Sequence, residues 1–378
     1  MSAGLRLLAV NWRDPEHPEA GGAETHLHEI LKRAASDGHA VTWLASGFPG
    51  GPRETTIGGI RVVRAGTWWS FNTVVPGILR GELAHPAPDL VIEDVNKVPC
   101  FTPLFTKAPV AVIVPHLFGT TAFLETSWPQ AAYVNMLESW IPAVSRDRPF
   151  VAISESTRDD LVARGIARER IAVVRCGIDH ATFRPHPEVP KASVPTILFL
   201  GRLRRYKGLD LVLHALLEVR RAVPAARLVV VGDGPHRAPL ERLARDLGLE
   251  RVVEFTGFVP SAERVRRLCE AHVTVQPSPK EGWGLTVIEA NACGTAVVAS
   301  RSPGLRDAVC EGESGLLVPH GDVPALSQSL VQVLTDGALR ARLERGGLAW
   351  AARFTWEACA KGSLAALGVP AGGARGDG

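Results

Sequence analysis

Short apolar runs alternate with stretches of helical period along most of the chain. In the first half the runs are Leu5–Val10, Val41–Ala45, Ile60–Arg64, Leu90–Glu93, Val110–Val114 and Phe150–Ile153. They are apolar nearly throughout, without strict alternation, which predicts parallel strands buried on both faces. Between the first two, Leu27, Ile30, Leu31 and Ala34 recur with helical spacing; Gly21–Glu24 opens that helix and Gly38 closes it. Four prolines, at 185, 187, 190 and 195, then interrupt the pattern. After them it restarts, with strands at Ile197–Gly201, Leu228–Val231, Val253–Thr256, Val273–Gln276 and Ala296–Ala299, and a helix over Leu209–Val219.

Two βαβ arrays of this kind predict an α/β protein of two doubly wound, Rossmann-like domains, residues 1–184 and 196–353, joined by a linker at 185–195. Ligands of such sheets bind beyond the carboxyl ends of the strands, so a central cleft faced by both domains is the expected site. The Gly-rich residues 369–378 read as a flexible tail.

Composition narrows the classes. The 378 residues are 46% hydrophobic and 21% charged, with a net charge of +3. That excludes wholesale disorder and a nucleic-acid binder that works by bulk charge. No apolar run approaches the roughly 18 residues a spanning helix needs, and Pro109–Pro115 is closed by proline at both ends. Met1–Val10 reads as a first strand, not a signal peptide. The six cysteines (100, 176, 269, 293, 310, 359) are scattered without metal spacing, the mark of a reduced, cytoplasmic protein; Cys293 and Cys310 read as buried apolar residues. Only seven of the 42 basic residues are lysine, so each lysine stands out.

Four segments carry candidate chemistry. In Glu281-Gly-Trp-Gly-Leu-Thr-Val-Ile-Glu289, Gly282 and Gly284 let the backbone approach a ligand. The N–H groups of Leu285 and Thr286 would point out of a helix N-terminus as an anion site. The two carboxylates could bracket a polyhydroxylated ligand, although Thr286-Val-Ile-Glu289 also has capping-box spacing. Gly201-Arg-Leu-Arg-Arg-Tyr-Lys-Gly208 places Arg202 and Lys207 where they could converge on a diphosphate, or serve only as a solvated basic loop. Gly21 and Gly22 can present backbone donors to a phosphate, or form a tight turn. His116, after Val110–Val114, would face the cleft, or be a structural histidine.

The ordered series resembles retaining glycosyltransferases of the GT-B fold, family GT4. It comprises Gly21-Gly22-Ala23-Glu24, Phe199–Leu203 with Lys207-Gly208, Val230–Pro235, Phe255–Val259, Glu281–Glu289 and Cys293–Ala299. Phe354-Thr-Trp356 looks like the start of that family's terminal helix, about 354–366, which crosses back onto the first domain. The resemblance implies that Arg202 and Lys207 bind the donor diphosphate, Glu289 the ribose and Glu281 the transferred sugar. It places Gly22, with Gly21, on the diphosphate and His116 near the donor sugar. Gly232, Asp233, Phe258 and Val259 would flank the base, Gly282, Trp283 and Gly284 would belong to the donor site, and the backbone after Gly284, at Leu285 and Thr286, would help hold the phosphates.

It further implies transfer of a hexosyl unit from a UDP- or GDP-sugar to an acceptor hydroxyl, with retention. No metal and no cofactor beyond the donor are expected, because basic residues stand in for a cation and no Asp-x-Asp is present. The expected acceptor is a carbohydrate, a lipid-linked or a small molecule, and nucleic acid is not expected. The family's lipid-linked acceptors allow peripheral attachment at the inner face of the cytoplasmic membrane. Trp68, Trp69, Phe71, Trp128 and Trp140 of the first domain suit sugar stacking, a membrane interface or plain packing. An epimerase or phosphorylase of the same fold, or a catalytically silent sugar-nucleotide-binding subunit, stand as alternatives.

Overall fold

The computed structural model describes residues 4–370, which form two compact units. One holds the residues up to Gly177 together with those from Trp356 on; the other is Ile178–Thr355.

The first unit is built on an eight-stranded sheet. Its strands are β1 (Arg6–Val10), β2 (Ala40–Ala45), β3 (Glu54–Ile57), β4 (Ile60–Arg64), β5 (Leu90–Asp94), β6 (Val110–Val114), β7 (Phe150–Ala152) and β8 (Ile171–Val173). They run in the order β3-β4-β2-β1-β5-β6-β7-β8, parallel throughout except for the β3–β4 hairpin. The second unit has a wholly parallel six-stranded sheet. Its strands are β9 (Thr196–Leu200), β10 (Arg227–Val231), β11 (Val253–Gly257), β12 (Val273–Gln276), β13 (Ala296–Ser300) and β14 (Gly315–Val318), in the order β11-β10-β9-β12-β13-β14. The apolar runs are buried as their lack of alternation requires: β5, β6, β9 and β13 have no exposed residue.

Both sheets reverse their winding once. In the first unit the chain leaves β1 for β2 on one side and returns to β5 on the other. In the second it leaves β9 for β10 and returns to β12. Loops after two such neighbouring strands diverge and leave a crevice at the carboxyl edge, where ligands of doubly wound sheets bind.

The boundary at Gly177 leaves the proline-rich stretch inside the second unit. Lys191 fastens it there, donating to the carbonyls of Ala271 (2.8 Å) and Gly294 (3.2 Å) and to Thr295 Oγ1 (3.1 Å). The helix Trp356–Ala366 belongs to the first unit, where the Trp356 ring tilts against His26 at 6.4 Å. Of the expected tail, Val369 is buried, and residues 371–378 lie outside the described residues. Cys293 is buried, whereas the half-buried Cys310 directs its thiol to the Glu313 carboxylate (3.2 Å).

The loops after β9 and β10 are locked together by backbone bonds. Leu203 N–H donates to Asp233 O (2.9 Å) and His236 N–H to Leu203 O (3.1 Å). At Gly232, with φ +132°, a Cβ would stand 2.0 Å from Gly201 O. Gly232→Ala is therefore expected to destabilise the protein by about 3 kcal/mol, because neither backbone can yield. Urea denaturation checks this; a loss below about 1 kcal/mol would show that the two loops move freely.

Candidate active site

In the second unit, the loop after β9 turns through a short helix at Arg205–Lys207 and closes at Gly208, whose φ is +70°. A Cβ at Gly208 would meet Pro277 O at 3.1 Å. Glycine thus satisfies the turn and brings this loop against the one that follows β12. The contact sets Lys207 Nζ 2.6 Å from Glu281 Oε1, across 74 positions of sequence. Both side chains are only 16% exposed. Burial pulls the Lys207 ammonium down, but the adjacent Glu281 carboxylate outweighs it and the net shift is upward. The lysine is therefore a fixed positive charge at the winding reversal. Arg202 lies exposed on the same loop.

The helix Leu285–Ala292 starts beside this pair, with Gly284 (φ +81°) as its N-cap. The N–H groups of Leu285 and Thr286 lie in its first turn, with no intrahelical acceptor, and carry the positive end of the helix dipole. This start excludes the capping box, because Glu289 stands at the fifth helical position instead of the third. Glu289 is buried and forms an ion pair with Arg264 of the helix Ser261–Glu270. Burial raises the Glu289 carboxyl, while Arg264 lowers it again in part. Sequence reasoning missed Arg264, one of three arginines (264, 266, 267) in one helix that local pattern does not distinguish.

The remaining expected residues divide. Gly232 and Asp233 sit at the end of β10 next to Gly257, where Gly232 N–H donates to Gly257 O (2.9 Å), and Asp233 bonds Arg237 (3.2 Å). Phe258 follows β11 with 87% of its surface exposed, and Val259 is half-buried beside it. Gly282 is half-buried in the loop. Trp283 is 2% exposed and packs edge-on against Phe354 at 5.2 Å, so it supports the loop from beneath rather than lining its surface.

The first unit concentrates buried carboxyls at the ends of β1 and β5. Gly21 N–H donates to Glu24 Oε2 (2.7 Å), and Glu24 Oε1 accepts from Asn96 Nδ2 (2.9 Å). This fixes Gly21 and Gly22 at the start of the helix Gly22–Ser36. Asp14, in the same loop, is held by Arg64 through bonds of 2.7 and 2.8 Å in full burial. Lys97 lies 5.1 Å from the centre of the Trp68 ring. His116, half-buried after β6, packs edge-on against Phe118 at 4.9 Å. Ser154 caps the helix Glu155–Ala163, accepting from Thr157 N–H at 3.1 Å.

Asp94 Oδ2 accepts from Asn11 Nδ2 at 2.7 Å, while its Oδ1 finds no partner among the described residues. Burial, and then the nearby Glu24 carboxylate, push the Asp94 carboxyl well above the usual range. The folded chain thus holds a proton that the unfolded chain releases near pH 4. This group's contribution to stability is complete in acid and falls as pH rises toward the folded value. Asp94→Asn is expected to stay within about 1 kcal/mol of the parent at pH 5 and to gain on it by pH 8, read from urea midpoints. A parent that gained on the variant as pH rose would show an ionised, specifically paired Asp94.

Residues 20–182 match the sequence profile of Glycosyltransferase Family 4, and residues 184–350 that of the Glycosyl transferases group 1. A D-inositol 3-phosphate glycosyltransferase of Frankia alni is 39% identical over 212 residues, 52% of each chain. The match thus spans about half the length of that relative. A GDP-mannose-dependent alpha-(1-6)-phosphatidylinositol monomannoside mannosyltransferase of Mycolicibacterium smegmatis is 34% identical over 355 residues, 88% of this chain and 91% of that one. The crystal structure of Anabaena HepE in complex with UDP-glucose has the same fold, with a TM-score of 0.75 at 18% identity, over 96% of this chain and 99% of that one. With both halves matched, and one relative aligned along nearly its whole length, the chain belongs to the group 1, family 4 glycosyltransferases.

Proposed function

We propose that the chain transfers a hexosyl unit from a UDP- or GDP-linked donor to an acceptor hydroxyl, with retention at the transferred carbon. The observation that carries this reading is the meeting of Lys207 and Glu281 beside the free first turn of the Leu285–Ala292 helix. A cation and two open N–H groups suit a leaving diphosphate, whose negative charge grows as the sugar–phosphate bond breaks. Arg202 adds a bidentate donor from the same loop. Glu281, already engaged by Lys207, would accept a hydroxyl of the transferred sugar on its second oxygen. Glu289, oriented by Arg264, offers a buried acceptor to the paired hydroxyls of a ribose.

These cations supply what a divalent ion would, so the reaction is proposed to run without metal and with no cofactor beyond the donor. The relative that acts on a phosphatidylinositol mannoside supports a lipid-linked or carbohydrate acceptor. With such an acceptor the chain would work in the cytoplasm, at the inner face of the membrane. Among the described residues no helix is long and apolar enough to cross a membrane.

Substitutions separate these roles. Glu281→Gln should lower kcat by about a hundredfold while leaving nucleotide affinity within about threefold, since the carboxylate serves the reacting sugar. Glu289→Ala should weaken nucleotide binding by about tenfold or more, the loss of charge-assisted hydrogen bonds. Arg202→Ala and Lys207→Ala should reduce both. Calorimetric titration with UDP and GDP, beside turnover of the matching nucleotide sugars, reads these effects. Unchanged nucleotide affinity in Glu289→Ala would contradict the assignment.

A further inference from the structure

Nine of the ten large hydrophobic side chains exposed among the described residues lie between Trp68 and Trp140, all in the first unit. The helix Trp128–Ser139 and its C-cap Trp140 show why this is not scatter. Pro129, Tyr133, Met136 and Trp140 recur at intervals of four, three and four, which places them on one helix face. That face is turned to solvent, while Ala131 and Leu137 of the same helix are buried. The helix is thus apolar toward water as well as toward the core.

The surface extends beyond this helix. Asn72 Nδ2 donates to Tyr133 Oη at 3.0 Å, and just before Asn72 stand Trp68 and the 67%-exposed Trp69. Phe123 and Leu124 are exposed ahead of Trp128, itself 72% exposed. Between Thr121 and Ser145 only two residues carry charge: Glu125 is half-buried, and Glu138 is buried, accepting from the N–H groups of Phe118 and Gly119. A contiguous exposed apolar area of this kind marks an interaction surface.

Its rim is cationic. The short helix Ile141–Ser145 ends at Arg146, and Leu104 projects nearby from a single turn at Thr102–Leu104, three residues before Lys107. Arg80, at the end of the helix Phe71–Arg80, stacks over Phe105 at 5.1 Å. Arg80, Lys107 and Arg146 are exposed and form no ion pair among the described residues. The nearby acids do not neutralise them: Glu82 is paired with Arg53, and Asp147 is flanked by Arg146 and Arg148. Amphipathic Trp and Tyr rings beside uncompensated cations complement the interface of an anionic bilayer, where rings lie at headgroup depth and cations meet lipid phosphates.

We propose that this face of the first unit, centred on Tyr133, Met136 and Trp140, docks the protein onto an anionic phospholipid surface. The proposal deepens the transferase reading, because a lipid-linked acceptor is presented at such a surface. The two are measured separately.

The test is cosedimentation of the full chain with vesicles of phosphatidylcholine, with and without phosphatidylglycerol, alongside the thermal shift given by UDP and GDP. The parent should bind the anionic vesicles, less so as salt rises. The triple variant Trp128→Ser, Met136→Ser, Trp140→Ser should bind about tenfold more weakly or worse and keep its nucleotide shift. Lys107→Gln with Arg146→Gln should bind anionic vesicles several-fold more weakly. Absence of vesicle binding, or equal binding by the triple variant, would overturn the proposal. So would a parent dimer that the triple variant renders monomeric without any affinity for vesicles, since the face would then be a self-interface. Vesicle binding without any nucleotide shift would leave the docking surface standing and count against the transferase reading.

Discussion

The second unit's candidate site is organised around one ion pair, Lys207 with Glu281. Neither residue is placed by its own strand alone. Lys207 reaches the pair because Gly208 takes a left-handed turn against Pro277, and Glu281 because its own N–H is held by Pro303 O at 3.0 Å. Two loops that leave neighbouring parallel strands in diverging directions are thus tied at the point where the sheet's winding reverses. With the pair set, a permanent positive charge lies beside the open first turn of a helix, and a carboxylate is oriented by that same charge. A buried pair is costly in desolvation and is weak support for stability on its own. Its value here is positional: it fixes a cation and a carboxylate in the crevice at the winding reversal.

The first unit repeats the geometry with opposite chemistry. Its winding reversal lies between β1 and β5, and the groups gathered there are carboxyls, each restrained differently. Asp14 is neutralised by Arg64, and Glu24 is held between a backbone N–H and an asparagine amide. Glu93 accepts from the N–H groups of Cys100, Phe101 and Thr102, which supports the left-handed backbone of Phe101. Asp94 has an asparagine amide instead of a cation, and its burial favours the protonated form. The two units therefore place unlike groups at the same point of one fold, a cation beside an open helix start in one and a network of buried carboxyls in the other.

Much of this was legible in the sequence, and the limits have physical causes. Strands buried on both faces, such as β6 and β9, announce themselves as unbroken apolar runs. The three unanticipated strands are β3, half-exposed and paired only in a hairpin, and the short edge strands β8 and β14. The resemblance located Lys207 and Glu281, but their contact spans 74 positions and no local spacing encodes it. Arg264 was hidden among equivalent arginines, and only the fold shows that it faces Glu289. The capping-box spacing of Thr286–Glu289 misled because the helix begins at Leu285 rather than after Thr286. Trp283 lies inward, packed against Phe354, a direction that sequence does not carry.

We propose that the second unit's winding reversal binds a nucleoside diphosphate without metal. The most direct measurement is a thermal-shift comparison of UDP, GDP, ADP, dTDP and NAD, each with and without a chelator. At about 100 times its dissociation constant, a bound ligand stabilises the fold by roughly 2.7 kcal/mol, a shift that is readily seen. A chelator-insensitive shift with UDP or GDP is expected. A shift with NAD alone, or one that the chelator abolishes, would contradict it.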